Sequence, residues 1–407
     1  MVSRCSFAAR AALFVLLVTL LIVALAVAIP LPQGTRLVFL GDSITEQRAY
    51  TRYVMDYLAL RYPDVRMTFR NAGWSGDTAA GGLERLQRDV LSLKPTAVTI
   101  CFGMNDGRYT TFDQARYDRY MESMTGLVQT LKTNGVRVVL LTPGVVDEDI
   151  DNKGYNQTLT RYAQGVKELA AREQVAVSDI NAIMGDVQSR AKRDDPKFTM
   201  IPDSVHPAPA GHALMAYGLL KVLGADVPAA SVAIDAGTRG VAADRALVKN
   251  LRVTPQSVTF TRIDRAFPTY FDPEAAAVFP YAPIQQDLNQ YPLRVTGLQS
   301  GDWKLTVDNV EVGVFSAEDL AAGVDLGARP GPWQKLGEQV NDTAATQEWI
   351  YRTRWKQLGV LLGVPEEAQP EKLALERKLD QCVAEQESER ARLVAPHAWR
   401  WQLARMG

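Results

Sequence analysis

The stretch Arg36-Leu37-Val38-Phe39-Leu40-Gly41-Asp42-Ser43-Ile44-Thr45 decides how the rest of the chain is read. Arg36–Leu40 is short and mostly apolar, the pattern of a buried strand, and Gly41 permits a tight turn at its end. Ala49–Arg61 follows with Tyr50, Tyr53, Val54, Tyr57 and Leu58 on one helical face. The same alternation continues downstream. Arg66–Arg70, Ala97–Phe102, Val136–Leu141 and Val175–Ser178 read as strands, and Thr78–Leu93, Phe112–Thr133, Gln157–Arg172 and Gly211–Leu223 as helices. The β-branched residues of Ala97–Phe102 mark a central strand. Such a series predicts an α/β fold, a parallel sheet covered by helices on both faces.

Near Ala229 the pattern changes. Leu247–Arg262 and Leu293–Phe315 alternate like strands, with turn signals at Gly301-Asp302 and Asp308-Asn309. Ser316–Ala322 reads as a short helix capped by Ser316. From Pro332 the pattern is helical again, and Pro370–Leu393 is dense in Glu, Arg and Lys at helical spacing. No internal repeats are evident. The divisions drawn are 1–30 for an N-terminal signal peptide or membrane anchor, 31–228 for the α/β domain, 229–327 for a β-rich accessory region and 328–407 for a helical C-terminal region.

Composition agrees with more than one folded unit. The 407 residues exceed the ~250–300 at which a single core stops growing, and 47% hydrophobic with 22% charged residues is a globular balance. A net charge of -1 supplies no basic excess for phosphate binding, so nucleic acid is set aside as a partner. Cys5, Cys101 and Cys382 fit neither a zinc site nor a disulfide framework, and separate thiols are favoured over a Cys101–Cys382 bridge. Three histidines, His206, His212 and His397, are too few for a His-rich metal site. At the N-terminus Arg4 and Arg10 flank an apolar run, Ala11–Ile29, broken only by Thr19. The positive flank places the chain from Leu31 onward outside the cytoplasm. The run suits either a cleaved signal peptide, with Ala26-Val27-Ala28 as its small-residue site, or a retained single span.

Four segments carry candidate chemistry, each at a strand end or loop on one edge of the expected sheet, where open α/β sheets bind ligands. Gly41-Asp42-Ser43 presents a hydroxyl above the sheet, and a serine needs a neighbouring base to act as a nucleophile. In 71–78, Asn-Ala-Gly-Trp-Ser-Gly-Asp-Thr, Gly76 offers a backbone N–H to a developing oxyanion. Gly103-Met104-Asn105-Asp106-Gly107 offers the Asn105 amide. Asp203-Ser204-Val205-His206-Pro207 puts a carboxylate and an imidazole within one turn, so that Asp203 can fix the tautomer and leave Nε2 to take a proton. Each segment alone also has a structural reading, as a helix cap, a turn or, for Asp203 and His206, a capping carboxylate and a structural histidine, and His212 reads as structural.

Taken in order, these segments resemble the SGNH hydrolase family, the GDSL-like esterases and lipases, over residues 35–225. Gly-Asp-Ser at 41–43, the loop ending in Gly76-Asp77-Thr78, Gly-x-Asn-Asp at 103–106 and Asp-x-x-His-Pro at 203–207 carry the resemblance. The longer nucleophile motif ends in Leu-Ser, where this chain has Ile44-Thr45. The resemblance implies a flavodoxin-like three-layer α/β/α fold and a serine esterase that uses no metal or cofactor. It implies Ser43 as nucleophile, His206 as general base, Asp203 as its orienting acid, and an oxyanion hole of the Ser43 and Gly76 N–H groups with Asn105. The exported location and the loop aromatics Trp74 and Tyr109 suggest O-acetyl esters of an extracytoplasmic carbohydrate as substrate, and no long apolar lid points to lipids. An acyltransferase or lipase with the same triad, and a non-catalytic glycan-binding protein, are the alternatives. The residues after Gly224 match no module that the sequence names.

Overall fold

The structure is a computed structural model and describes residues 32–225 and 228–407. The expected signal peptide or anchor at 1–30 lies outside these residues. Among the described residues no helix is long and apolar enough to cross a membrane.

Five strands form a parallel sheet: β1 (Thr35–Gly41), β2 (Met67–Gly73), β3 (Ala97–Cys101), β4 (Arg137–Leu141) and β5 (Ala176–Ser178). Their order is β2-β1-β3-β4-β5. Alternate residues of each strand enter separate cores. Leu37, Phe39, Val139 and Leu141 pack on one face, against Tyr50, Tyr53 and Tyr57 of one helix and Leu214 and Leu219 of another. Val38, Leu40, Ile100 and Leu140 pack on the other, against Met124, Leu127, Tyr162 and Val166. Burial on both faces is why these strands are apolar runs and not alternating ones. The result is the expected three-layer α/β/α arrangement.

The helices that position the site are α1 (Ser43–Glu46), α2 (Ala49–Arg61), α3 (Ala79–Glu84), α4 (Gln114–Thr133), α5 (Tyr155–Glu173), α6 (Ile180–Asp194) and α7 (Pro209–Val222). Two differ from the sequence reading. The helix expected over Thr78–Leu93 is broken into α3, a turn at Leu86–Asp89 and a 3-10 turn at Leu91–Leu93. Arg85 sits at the break, and its guanidinium donates to the carbonyls of Ala72 and Gly41 and to Asp77, which draws the chain toward the sheet. The second, α6, was not anticipated. Asp179 caps it by accepting the Ala182 N–H, and Ile180, Met184, Val187 and Ala191 form its buried stripe.

Past the α/β unit, β6 (Ser231–Asp235), β7 (Val241–Asp244), β8 (Ala246–Thr254), β9 (Ser257–Asp264), β10 (Pro292–Thr296), β11 (Asp302–Val307), β12 (Val310–Ser316), β13 (Val324–Asp325) and β14 (His397–Arg405) form two more sheets. Their orders are β13-β10-β6-β7 and β12-β11-β14-β9-β8. Both contribute to one core, with Val232, Ile234, Leu293 and Val295 from the first and Val258, Phe260, Trp303 and Leu305 from the second. The β11–β12 hairpin turns at Asp308-Asn309, both at positive φ (46° and 68°), the turn chemistry that a tight hairpin requires. Ser316 caps the helix Ala317–Ala322 in a capping box with Asp319.

The C-terminal region is not wholly helical. Two long helices, α8 (Pro332–Arg352) and α9 (Gln369–Leu393), are followed by β14, which lies between β11 and β9 in the middle of its sheet. Trp399, Trp401 and Leu403 alternate into the core, and the Trp333 ring of α8 stacks on Trp401 at 5.8 Å. The last strand is therefore a central strand of the accessory sandwich. Removal of residues 397–407 is expected to abolish the ordered sandwich, because β9 and β11 lose their shared neighbour. Limited proteolysis that leaves residues 231–325 as protected as in the full chain would contradict this.

Candidate active site

The site grows from the end of β1. Gly41 pairs with Gly73 of β2 and with Cys101 of β3, so the chain leaves all three strands at one level. Asp42 is the N-cap of α1, and its carboxylate accepts the Ile44 N–H at 3.0 Å. Ser43 is thereby the first residue of a one-turn helix above the sheet. This turn rests directly on β2, and a Cβ at Gly73 would lie 2.3 Å from the Glu46 nitrogen. Asn71 locks the contact. Its amide donates to Thr45 O (2.7 Å) and Thr51 Oγ1 (3.2 Å), while its oxygen accepts the Gly73 N–H (2.9 Å).

Asp203 and His206 arrive from the loop before α7. The Ser43 Oγ lies 2.8 Å from His206 Nε2, and His206 Nδ1 lies 2.7 Å from Asp203 Oδ2. The other Asp203 oxygen accepts the N–H groups of Val205 (3.0 Å) and His206 (2.6 Å). Partial burial acts to raise the Asp203 carboxyl, but these hydrogen bonds outweigh it and hold the group below its usual range. A carboxylate at Nδ1 favours the proton there and leaves Nε2 as an acceptor for the serine. The loop is fixed by Ser204, which the sequence reading passed over. Ser204 is buried at φ 73°. Its hydroxyl lies 3.1 Å and 3.0 Å from the Asp147 and Asp151 carbonyls and 3.0 Å from the Asn152 amide that donates to it. A left-handed, non-glycine conformation of this kind persists where surrounding contacts over-determine it.

Gly76 and Asn105 stand on the neighbouring loops. The Asp77 N–H donates to Trp74 O at 3.1 Å and closes a turn in which Gly76 takes φ 74°, a conformation that favours glycine. The Asn105 amide donates one N–H to Asp77 O at 2.9 Å, so the two loops are joined. A primary amide carries a second N–H. Its orientation is set by Tyr109, whose hydroxyl donates to Asn105 Oδ1 at 2.8 Å. Arg108 and Tyr109 are consecutive non-glycine residues at positive φ, 56° and 55°. Trp74 packs edge-on against Trp355 at 5.9 Å. His212 stays apart from the triad, buried and stacked on Tyr50 at 6.2 Å, with Nε2 3.1 Å from Gln47 Oε1. Burial pushes its pKa down to about 3, so it is neutral. Cys101 and Cys382 are free.

Buried carboxyls underlie these loops. Asp106 accepts the Ala79 N–H (2.9 Å) and the Gly103 N–H (3.0 Å), tying α3 to the β3 loop. Burial pushes the Asp106 carboxyl up to about 6 and the Asp42 carboxyl up to about 7, with the nearby charges of Asp77 and Asp106 adding to the shift at Asp42.

Sheet order, nucleophile turn and hydrogen-bonded Ser–His–Asp series define an SGNH-type carboxylic ester hydrolase. Residues 39–214, the α/β unit, match the GDSL-like Lipase/Acylhydrolase family. An acetylxylan esterase of Geobacillus stearothermophilus is 27% identical over 218 residues, 47% of this chain and 94% of its own length. The solved structure of an acetylxylan esterase from the same organism aligns with 48% of this chain and 96% of its own at 26% identity and a TM-score of 0.41. A solved structure described as a gut microbial diltiazem-metabolizing enzyme aligns with 94% of this chain and 99% of its own, at 25% identity and a TM-score of 0.81. That likeness extends through the accessory sheets and C-terminal helices.

The raised Asp42 carboxyl has a consequence for stability. An acid whose folded pKa lies above its unfolded value contributes stability that is full below the unfolded value and lost as pH rises through the folded one. With the shift from 3.8 to about 7, the window is pH 4 to 7. An Asp42→Asn variant keeps an oxygen for the Ile44 N–H and cannot titrate. Its thermal midpoint is expected to fall less than that of the wild type between pH 4 and pH 7, and parallel curves would contradict the assignment.

Proposed function

We propose that the protein is a serine esterase that removes acetyl groups from the hydroxyls of a carbohydrate outside the cytoplasm. The observation that carries the mechanism is the Ser43–His206–Asp203 series, closed at 2.8 Å and 2.7 Å. Ser43 Oγ attacks the ester carbonyl while His206 Nε2 takes its proton, and Asp203 stabilises the imidazolium that forms. The tetrahedral oxyanion is held by the Ser43 and Gly76 N–H groups and the Asn105 amide. His206 then protonates the departing alcohol and leaves an acetyl-Ser43 enzyme. Water, deprotonated by the same imidazole, adds to that acyl group; the bond to Ser43 Oγ then breaks, His206 returns the proton to that oxygen, and acetic acid departs. Loss of one oxyanion donor typically costs ~10²–10³ in rate.

Several observations support acetyl as the acyl group. The similar acetylxylan esterase is matched over nearly its whole length. A cavity under the nucleophile turn, lined by Asp42, Ile44, Met104, Val145 and Pro207, encloses about 10 Å³. That is the room of one water. The positively flanked apolar run at residues 11–29 supports export.

Ser43→Ala is expected to abolish release of p-nitrophenol from p-nitrophenyl acetate, and turnover at the wild-type rate would refute the role of Ser43. In a series of p-nitrophenyl esters, kcat/KM is expected to be highest for acetate and to fall with chain length. Acetylated xylo-oligosaccharides and diltiazem should then be compared directly, since a preference for the drug over every acetylated glycan would count against a carbohydrate carrier.

A further inference from the structure

The C-terminal helices lie outside the family match, yet they reach the nucleophile turn. Glu46 ends that turn, three residues after Ser43, and is 7% exposed. Its Oε2 accepts both the N–H and the O–H of Ser75, each at 2.6 Å. Its Oε1 accepts from Arg352 Nε at 3.0 Å and from Lys356 Nζ at 2.6 Å. Arg352 ends α8 and Lys356 lies in the π-helical stretch Thr353–Leu361 that continues it. Spaced four apart, the two cations meet one oxygen from one helical face. Local π-helical geometry is frequent at functional sites.

The same stretch holds the loop from its other side. Lys356 Nζ sits 4.3 Å from the centre of the Trp74 ring, while the Trp355 indole packs against Trp74 and donates to Asp89 at 3.1 Å. Trp74 and Ser75 are thus fixed immediately before Gly76, whose N–H is the proposed oxyanion donor. Burial acts to raise the Glu46 carboxyl, but the hydrogen bonds from Lys356 and Ser75 outweigh it and hold the pKa at about 2, so Glu46 is a permanent acceptor for Ser75. A single-domain esterase ending near residue 225 would have neither cation at this carboxylate and would keep only its bonds from Ser75.

We propose that the C-terminal helical hairpin completes the esterase site: Arg352 and Lys356 are positioning residues that act through Glu46 to hold Ser75, and with it the Gly76 N–H, in place for the oxyanion. The inference rests on the esterase reading above. In the full-length protein, Lys356→Met is expected to lower kcat on p-nitrophenyl acetate about tenfold, less than outright loss of a donor, with KM within about twofold. Lys356→Arg, which restores a cation to Glu46, is expected to recover most of kcat. Ser75→Ala removes the hydroxyl donor and keeps the N–H, and a loss of about threefold, again in kcat, is expected. Thermal melts of each variant separate a displaced loop from an unfolded chain. If Lys356→Met does not melt cooperatively, Ser75→Ala alone decides.

A folded Lys356→Met enzyme with wild-type kcat overturns the inference, as does a Ser75→Ala enzyme with wild-type kcat. A loss in kcat that Lys356→Arg fails to restore also overturns it. A wild-type chain that neither turns over the ester nor is labelled on Ser43 by a fluorophosphonate would instead refute the esterase reading itself.

Discussion

The site depends on the reversal of winding at β1. β1 is flanked by β2 on one side and β3 on the other, so the connections that leave its neighbourhood diverge and open a crevice at the carboxyl edge of the sheet. Ser43 follows β1 and Asn105 follows β3, which places them on the two sides of that crevice. Gly76 follows β2, whose last residue pairs with the last residue of β1. None of these three loops has to be long to reach the centre. The matched ends of three strands perform the convergence, and the close approach of α1 to Gly73 sets the height of Ser43 above the sheet.

Around this crevice the polar groups are buried in series. Asn71, Asp77, Asp106 and Arg85 each join one catalytic-edge loop to another or to a strand carbonyl. Hydrogen bonds of this kind contribute individually only about 0.5–1.5 kcal/mol to stability. Their larger effect is on position, since a buried group left unpaired costs more than a paired one gains. The same logic extends to Glu46, where two cations from a segment some three hundred residues away in sequence satisfy a carboxylate beside Ser43. The accessory sandwich matters to this arrangement because β14 closes it from the far end of the same hairpin.

Much of the α/β unit was legible from sequence because doubly buried strands are apolar runs and their covering helices carry a 3.6-residue stripe. α2 begins and ends where its pattern predicted, at Ala49 and Arg61. The failures have local causes. α6 follows β5 after a single residue, Asp179, so no loop announced it. The expected Thr78–Leu93 helix breaks where Arg85 finds carbonyl partners on the sheet, a competition that no propensity reports. β14 alternates correctly at Trp399, Trp401 and Leu403, but it follows so directly on the charged α9 that the region read as helical throughout.

The sequence alone determined the parallel sheet, the residue types at its edge and their order along the chain, because these depend on periodicity and on local spacing such as that between Asp203 and His206. Only the tertiary structure decided which residues hold those groups in place. Ser204, Tyr109 and Glu46 carry no local signature, since each acts through a partner distant in sequence or through a backbone conformation that neighbouring segments impose. The assignment of the C-terminal helices to the Glu46 contact is of the same kind: a cation at 352 or 356 reads as an exposed helical charge until the fold brings a buried carboxylate against it.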